Sequence, residues 1–197
     1  MSRYDADDVY CYPGTNVLCN RAGITNAKEL DIYEGEFSTL RTLEIQEKPI
    51  IGQFDLAHLQ RIHLALFQDV YDWAGKLRTV DISRGNSRFA NVRFIESAAH
   101  EIFNKLAREH WLKRLDLDQF SARLAHYLSE INALHPFREG NGRVQRIFIS
   151  QLSYAAGYQL DYSDLEQDQI YQAMESAFHG EESNLAGLIQ QRLIKID

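Results

Sequence analysis

Proline and cysteine are both scarce in this chain, and each shortage excludes a class of structure. Its only prolines are Pro13, Pro49 and Pro136, so long helices can run between them, because proline breaks a helix interior. The only cysteines, Cys11 and Cys19, are too few for a disulfide framework, and their spacing without further ligands does not fit a zinc site. No run of 18 apolar residues occurs, which argues against a membrane-spanning helix.

Basic charge is also in short supply. The chain has 21 Lys and Arg residues against 28 Asp and Glu residues, for a formal net charge of −7. Such an acidic balance argues against DNA or RNA as a bulk partner, because phosphate contacts need a basic face. It leaves room for a small basic pocket that binds one nucleotide. The opening segment, MSRYDADDVY, lacks the apolar region of a signal peptide. We therefore expect a cytoplasmic protein with no direct nucleic-acid or membrane partner.

Apolar residues recur at helical spacing over most of the chain. With 45% hydrophobic residues and no repeat or linker, the sequence predicts one domain over residues 1–197. A turn at Pro13-Gly14 precedes a short helix that Thr15 is expected to cap. A longer helix is predicted over residues 25–48, with an apolar face made of Leu30, Tyr33, Phe37, Leu40 and Leu43. Further helices are predicted over residues 54–75, 96–114, 117–134, 143–156, 163–179 and 183–195.

One segment between these helices has a different pattern. The sequence KLRTVDISRGNSRFANVRFI alternates apolar and polar residues on both sides of Arg84-Gly85-Asn86, which is typical of a β-hairpin. The predicted fold class is therefore all-α, with about eight helices and one β-hairpin.

Four other side chains are interpreted as having no part in the chemistry. Lys76 and Arg78, just before the hairpin, are taken as ordinary solvated charges. His58 and His63 lie five residues apart on a predicted helix, which is the wrong spacing for a shared metal site. We interpret both histidines as structural or solvated.

The stretch HPFREGNGRVQR, residues 135–146, joins two predicted core helices and is unusually rich in charge and glycine. Pro136 disfavours a helical conformation at the residue before it, so the first helix is expected to end near His135. Gly140-Asn141-Gly142 can turn sharply and expose successive N–H groups just before the next helix. A glycine-rich turn that leads into a helix N-terminus is an anion-binding site, because unpaired N–H groups and the helix dipole both favour phosphate.

The side chains of this loop match that purpose. Arg143 and Arg146 lie on the first turn of the second helix, where two guanidinium groups can grip a polyphosphate. Glu139 beside phosphate is repulsive unless a cation lies between them, which indicates Mg²⁺. Histidine has an ordinary pKa near neutrality, and His135 is placed to take a proton from a nucleophile. The set suits transfer of a phosphorus group from a nucleotide.

The same stretch resembles the signature of the Fic family, His-x-Phe-x-(Asp/Glu)-Gly-Asn-Gly-Arg-x-x-Arg, at every position. Three more segments are similar to the family's N-terminal, helix and flap segments: residues 10–18 (YCYPGTNVL), 62–75 (IHLALFQDVYDWAG) and 77–95 (LRTVDISRGNSRFANVRFI). The resemblance implies a single Fic domain that transfers AMP from ATP to a Ser, Thr or Tyr hydroxyl of a target protein.

The resemblance also implies a role for each motif residue. His135 is the implied general base and Glu139 the implied ligand of Mg²⁺. The implied nucleotide-binding residues are Gly140, Asn141 and Gly142 as an anion hole, Arg143 and Arg146 as a phosphate clamp, and Phe94, Ile95, Asn132 and Gln172 as further contacts. The hairpin, at about residues 79–95, is implied to be a flap that holds the target segment by main-chain pairing.

Many members of this family carry an inhibitory helix, (Ser/Thr)-x-x-x-Glu-(Gly/Asn), whose glutamate pairs with the second motif arginine. In this sequence the only Glu-Gly pairs are Glu34-Gly35 and Glu139-Gly140, and no Glu-Asn pair occurs. Glu34-Gly35 has Leu30 in place of the Ser or Thr, and Glu139-Gly140 lies inside the motif itself. We therefore expect a toxin whose inhibitory helix comes from a separate small antitoxin, with DNA gyrase and topoisomerase IV as possible targets by analogy.

Three alternatives stay open at this stage. The enzyme could use another donor and transfer UMP, phosphate or phosphocholine. The chain could be a non-catalytic binding module, although such a module is expected to show decay of the motif. It could also remove AMP from modified proteins, an activity that usually depends on the inhibitory glutamate.

Overall fold

The structure, a computed structural model, describes residues 9–85, 87–162 and 167–196. In this part of the chain seven α-helices form most of the molecule: α1 (Ala27–Glu47), α2 (Leu56–Phe67), α3 (Ile95–Arg108), α4 (Leu117–Leu134), α5 (Asn141–Ala155), α6 (Gln167–Phe178) and α7 (Ser183–Gln190). Two short antiparallel pairs accompany them: β1 (Ser83–Arg84) with β2 (Ser87–Arg88), and β3 (Tyr158–Leu160) with β4 (Leu193–Lys195). The mostly α fold that the sequence predicts is confirmed.

Helix α4 lies at the centre of this arrangement and leads directly into the motif. It begins after Asp116, whose carboxylate accepts a hydrogen bond from the backbone N–H of Gln119 at 2.9 Å, as a good N-cap does. The sequence predicts an apolar stripe along this helix, and its first residue, Leu117, is 38% exposed. The other five are buried among α3, α5, α6 and α7: Phe120, Leu124, Leu128, Ile131 and Leu134. The helix therefore fixes the position of the residue at its end, His135.

Helix α1 forms as predicted, but only part of the apolar face assigned to it is confirmed: Leu30 is buried, and Tyr33 and Phe37 pack against the core. Leu40 and Leu43 are 51% and 55% exposed, whereas the polar residues Glu34 and Ser38 are buried. The helix turns this polar side towards α5, where Glu34 and Ser38 contact the partly buried guanidinium of Arg143.

One predicted short helix does not form, and three other helices end earlier than predicted. Residues 12–18 form a turn closed by a bridge between Cys11 and Leu18 rather than a short helix. Helix α2 ends at Phe67, and α3 ends at Arg108 because His110 to Leu112 adopt positive φ. Helix α7 stops at Gln190, and the chain then forms β4. Of the predicted helix 163–179, residues 163–166 lie outside the described residues.

The predicted hairpin forms, but its ladder is only two residues long on each side. Ser83 pairs with Arg88 and Arg84 with Ser87, and the predicted turn residue Asn86 lies outside the described residues. Nearer the base, the carboxylate of Asp81 accepts hydrogen bonds from the side chain of Asn91 and the backbone N–H of Val92, both at 2.7 Å. Side chains therefore close this flap where the strand ladder stops. No helix in the described ranges has both the length and the apolar character needed to cross a membrane.

Candidate active site

The loop between α4 and α5 is held in a conformation that only certain residues tolerate. His135 ends α4 with φ +44°, and Gly140 precedes α5 with φ +78°. A Cβ at Gly140 would lie 2.3 Å from ring atoms of Phe67, so this position needs glycine for space as well as for its backbone conformation. Asn141 then opens α5, two residues before the predicted start at residue 143.

Asn141 closes the loop from inside. Its Oδ1 accepts from the N–H of Phe137 at 3.0 Å, and its Nδ2 donates to the C=O of the same residue at 2.7 Å. Both residues are almost completely buried. The predicted anion hole can therefore use only the backbone of Asn141, because its side chain is already satisfied within the loop.

His63 of α2 supports the same loop from below. Its Nδ1 accepts from the N–H of Gly75 at 2.8 Å, so Nε2 carries the proton and donates to the C=O of Glu139 at 3.1 Å. The ring also stacks on Phe137, with centroids 4.1 Å apart. Burial lowers the pKa of His63 to about 3. The histidine is therefore structural, and it holds the residue predicted to bind the metal.

Arg78 is not the solvated charge that its sequence context indicates. It is 2% exposed, and burial lowers its pKa. Its guanidinium donates to the C=O groups of Val80 and Ala90, at the two ends of the flap, and to the C=O of His135 at 2.8 Å. One buried cation thus ties both ends of the flap to the end of α4.

The imidazole of His135 is oriented by the last turn of α4. Its Nδ1 lies 2.9 Å from the C=O of Asn132, and because a carbonyl only accepts, Nδ1 carries the proton and the lone pair lies on Nε2. Phe89 of the flap stacks on the ring, with centroids 3.8 Å apart. Burial lowers the pKa of His135 to about 3, and the positive charges of Arg78 and Arg84 act in the same direction. At neutral pH the ring is therefore uncharged.

A cavity of about 650 Å³ brings most of the predicted site residues together. This volume is within the usual range for small-molecule sites. Seven lining residues come from the motif loop and the start of α5: His135, Glu139, Gly140, Gly142, Arg143, Gln145 and Arg146. The remaining walls come from α1, the flap, α4 and α6, and Asn132 is among them.

Three of the four further contacts that the resemblance implies do not line this cavity, and neither does the buried Asn141 of the implied anion hole. Ile95 is 1% exposed and packs into the core at the start of α3, while Phe94 is 62% exposed. Gln172 lies on an exposed part of α6, and its neighbours Tyr171 and Met174 line the cavity instead. The roles of Phe94, Ile95 and Gln172 as nucleotide contacts stay predictions.

The anion-binding end of the cavity is formed by the first turn of α5. The first backbone bonds into this helix run from the N–H groups of Arg143 and Val144 to the C=O of Gly140, both at 3.1 Å. The N–H groups of Asn141 and Gly142 precede them, as the unpaired donors of a helix N-terminus do. The N–H of Gly140 donates to the carboxylate of Glu139 at 2.9 Å.

Comparison with known proteins identifies this arrangement. The model of the Fic/DOC family matches residues 53–153, which include the motif loop and the helices on both sides of it. The chain belongs to the Fic/DOC family. Among curated Fic proteins, it is 43% identical over 194 residues to the protein adenylyltransferase VbhT of Bartonella schoenbuchensis, covering 98% of this chain and 41% of that protein.

Two other relatives have the same length as this chain or nearly so. The chain is 40% identical to the probable protein adenylyltransferase y4lH of Sinorhizobium fredii, with 98% of this chain and 100% of that protein covered. It is 41% identical to the probable protein adenylyltransferase Fic of Salmonella typhimurium, with 94% and 92% covered. The chain therefore corresponds to the whole of some relatives and to less than half of VbhT.

Solved structures of Fic proteins share the fold. The N-terminal Fic domain of a Bartonella quintana effector with bound ADP has a TM-score of 0.89 at 26% identity, over 95% of each chain. The BepC protein of Bartonella tribocorum with bound AMPPNP has a TM-score of 0.87 at 25% identity, over 95% of this chain and 97% of that one.

Sequence patterns did not reveal the part that other elements have in this Fic site. Arg143 donates from Nη1 to the hydroxyl of Ser38 at 2.7 Å and from Nη2 to the carboxylate of Glu34, both on α1. Phe89 covers the motif histidine from the flap. No short motif marks these residues, and only the fold brings them to the loop.

Proposed function

We propose that this chain is a protein adenylyltransferase that transfers AMP from ATP to a hydroxyl group of a target protein. The observation that carries the proposal is one shared cavity. It holds a neutral His135 with its lone pair on Nε2, two motif arginines and the carboxylate of Glu139. Relatives about 40% identical over nearly the whole chain are named protein adenylyltransferase, which supports this enzyme class.

The transfer step follows from these positions. The hydroxyl oxygen of the target attacks the α-phosphorus of ATP and its proton goes to Nε2 of His135. The bond between the α-phosphorus and the bridging oxygen breaks, and pyrophosphate leaves. The polyphosphate is held at the first turn of α5, where the helix dipole and Arg143 and Arg146 offset its charge.

Binding of the polyphosphate also changes the pKa of the general base, His135. The pKa of His135 is low because burial and the charges of Arg78 and Arg84 disfavour the imidazolium. Phosphate charges beside the ring favour the imidazolium, so substrate binding raises this pKa towards the value at which a general base works best. The histidine is thus a weak base in the empty site and a better one when ATP is bound.

Glu139 fits a magnesium ion that arrives with ATP. Magnesium in nucleotide sites is usually held by one or two carboxylates together with phosphate oxygens and water. Among the described residues no cluster of three or more possible ligands occurs, and such a site does not need one. When bound, the ion supplies charge neutralisation at the α- and β-phosphates.

The target-binding surface, the cellular compartment, the antitoxin and the target proteins are also part of this proposal. The exposed edges of β1 and β2 hold the target segment, and the enzyme works in the cytoplasm, where ATP is available. The sequence has no inhibitory helix of the family pattern, which supports a separate antitoxin that supplies one. DNA gyrase and topoisomerase IV are the proposed targets by the family resemblance.

The test is protein labelling with ATP that carries the label on its α-phosphate. Wild-type protein, Mg²⁺ and a bacterial lysate should yield a labelled protein, and His135→Ala should abolish the label. The exposed His100 supplies the matched control, His100→Ala, which should label normally. Labelling that persists in His135→Ala would refute the role of the base.

A second set of donors tests the alternatives. The same lysate is incubated with α-labelled UTP, γ-labelled ATP or labelled CDP-choline. Labelling from one of these donors, without labelling from α-labelled ATP, would replace AMP transfer by another group transfer. Absence of labelling from every donor, with purified candidate targets included, would favour the binding module.

A further inference from the structure

Arg143 is fixed by the N-terminal helix as well as by its own. Nη1 donates to the hydroxyl of Ser38 at 2.7 Å, and Nη2 donates to the carboxylate of Glu34. Glu34 and Ser38 lie four residues apart, which places them on one face of α1. The guanidinium also lies 4.8 Å from the ring centroid of Phe67. Three different helices, α1, α2 and α5, therefore determine where this side chain points.

The contact is largely buried, and both carboxylate oxygens of Glu34 are hydrogen-bonded. Side chains of Arg143 and Glu34 are 20% and 11% exposed. The second oxygen of Glu34 accepts the hydroxyl proton of Tyr71, a residue that is 2% exposed. Burial and the neighbouring carboxylate raise the pKa of Tyr71, so the phenol keeps the proton that it donates. Glu34 is thus held rigidly and cannot follow Arg143 into another conformation.

This arrangement leaves donors for a ligand. A guanidinium has five N–H groups, and α1 uses two of them. Arg143 lines the same cavity as Ser38 and Gly35, so the remaining donors belong to a side chain that is already immobilised at the cavity wall. Immobilising a long side chain before binding removes part of the entropic cost that it would otherwise pay on contact with phosphate.

We propose that Glu34 is a positioning residue, which together with Ser38 presents Arg143 to the polyphosphate of the donor nucleotide. The proposal rests on the proposed function and deepens it. The contact differs from the family's inhibitory pairing, because Glu34 binds the first motif arginine and not the second, and because Leu30 stands where that pattern needs Ser or Thr. An inhibitory carboxylate competes with phosphate, so its removal tightens nucleotide binding. Removal of a positioning carboxylate weakens it.

Calorimetric binding of two nucleotides to the full chain separates these possibilities. The first is α,β-methylene-ATP, which cannot transfer AMP, and the second is AMP, which lacks the β- and γ-phosphates. We expect Glu34→Ala to weaken binding of α,β-methylene-ATP about tenfold or more, since a hydrogen bond to a charged group is lost, and to leave AMP binding within about twofold of wild type. Glu34→Gln, which keeps an acceptor oxygen, should recover part of this loss.

Two further variants keep the test decisive. Ser38→Ala removes one hydroxyl with little change of volume and should weaken triphosphate binding by a smaller factor, again without effect on AMP. It decides the question if Glu34→Ala does not fold. Glu36→Ala, at an exposed glutamate of the same helix, should bind both nucleotides as wild type does.

Each outcome has one meaning. Unchanged or tighter triphosphate binding in Glu34→Ala and Ser38→Ala overturns the positioning role, and so does an equal loss for AMP and the triphosphate. If wild-type protein binds neither nucleotide, the proposed function fails and this inference fails with it. If wild type binds the triphosphate but the variants do not behave as expected, the positioning role of Glu34 is refuted and the proposed function is unaffected.

Discussion

Acid should destabilise this protein through His63 in a pH range that can be stated in advance. The pKa of His63 is about 3 in the folded protein, mainly because the ring is buried, against an ordinary value of 6.5. Above about pH 6.5 the ring is neutral in both states, so its contribution is complete. As the pH falls below that value, the unfolded chain binds a proton that the folded protein excludes. Stability is therefore lost progressively from about pH 6.5 towards pH 3.

The size of the effect follows from the same values. Each pH unit inside the window costs about 1.36 kcal/mol per excluded proton. At about pH 4.5, two units below the ordinary value, His63 alone removes about 3 kcal/mol. That is a large share of the stability of a typical domain. Other groups also titrate in this range, His135 among them, so the contribution of His63 has to be measured as a difference between variants.

Urea unfolding followed by tryptophan fluorescence gives that difference. The variant His63→Gln cannot take up a proton at this position. At neutral pH it should be less stable than wild type by about 1–3 kcal/mol, because the stacking on Phe137 is lost. Between about pH 7 and pH 4.5, however, it should lose about 3 kcal/mol less than wild type does. His100→Gln, at an exposed position, should follow the wild-type profile. Equal pH-dependent losses in wild type and His63→Gln would refute the reasoning.

Two substitutions test the supports of the motif loop. Arg78→Lys should lower the free energy of unfolding by about 2–4 kcal/mol in a urea titration and should slow AMP transfer, because one ammonium group cannot reach all the carbonyls that the guanidinium binds; a stability and a rate equal to those of wild type would contradict this. Gly140→Ala should lower the melting temperature measured by circular dichroism, since its Cβ would overlap the ring of Phe67 and φ is +78°; an unchanged melting temperature would show that the loop can shift.

The features that the sequence predicts correctly depend on short-range signals. Pro136 limits its predecessor, and α4 ends at Leu134. The glycines of the motif predict a turn into a helix, and α5 begins at Asn141. Both effects act over one to three residues, so one sequence is enough to detect them. The resemblance to the Fic family, carried by the motif and three further segments, is confirmed by the family match.

The supports of the site could not be predicted, because each of them joins distant parts of the chain. His63 contacts Glu139, 76 residues away. Arg78 reaches His135 across 57 residues, and Glu34 reaches Arg143 across 109. The strands β3 and β4 were missed for the same reason, since three residues on each side of a long connection give no hairpin pattern. No periodicity within a window of a dozen residues contains information about such pairs.

Helix α1 shows how a failed pattern can itself indicate a site. Its sequence is less amphipathic than that of the other helices, since Leu40 and Leu43 face solvent while Glu34 and Ser38 are buried. A helix selected only for stability buries its apolar side chains, because burying a carboxylate is costly unless a partner compensates it. Here the partner is Arg143, a motif residue of the proposed nucleotide site. Departures from the usual burial of apolar side chains and exposure of polar ones are expected at functional positions. The polar face of α1 is therefore best explained as a wall of the polyphosphate site rather than as a defect of the core.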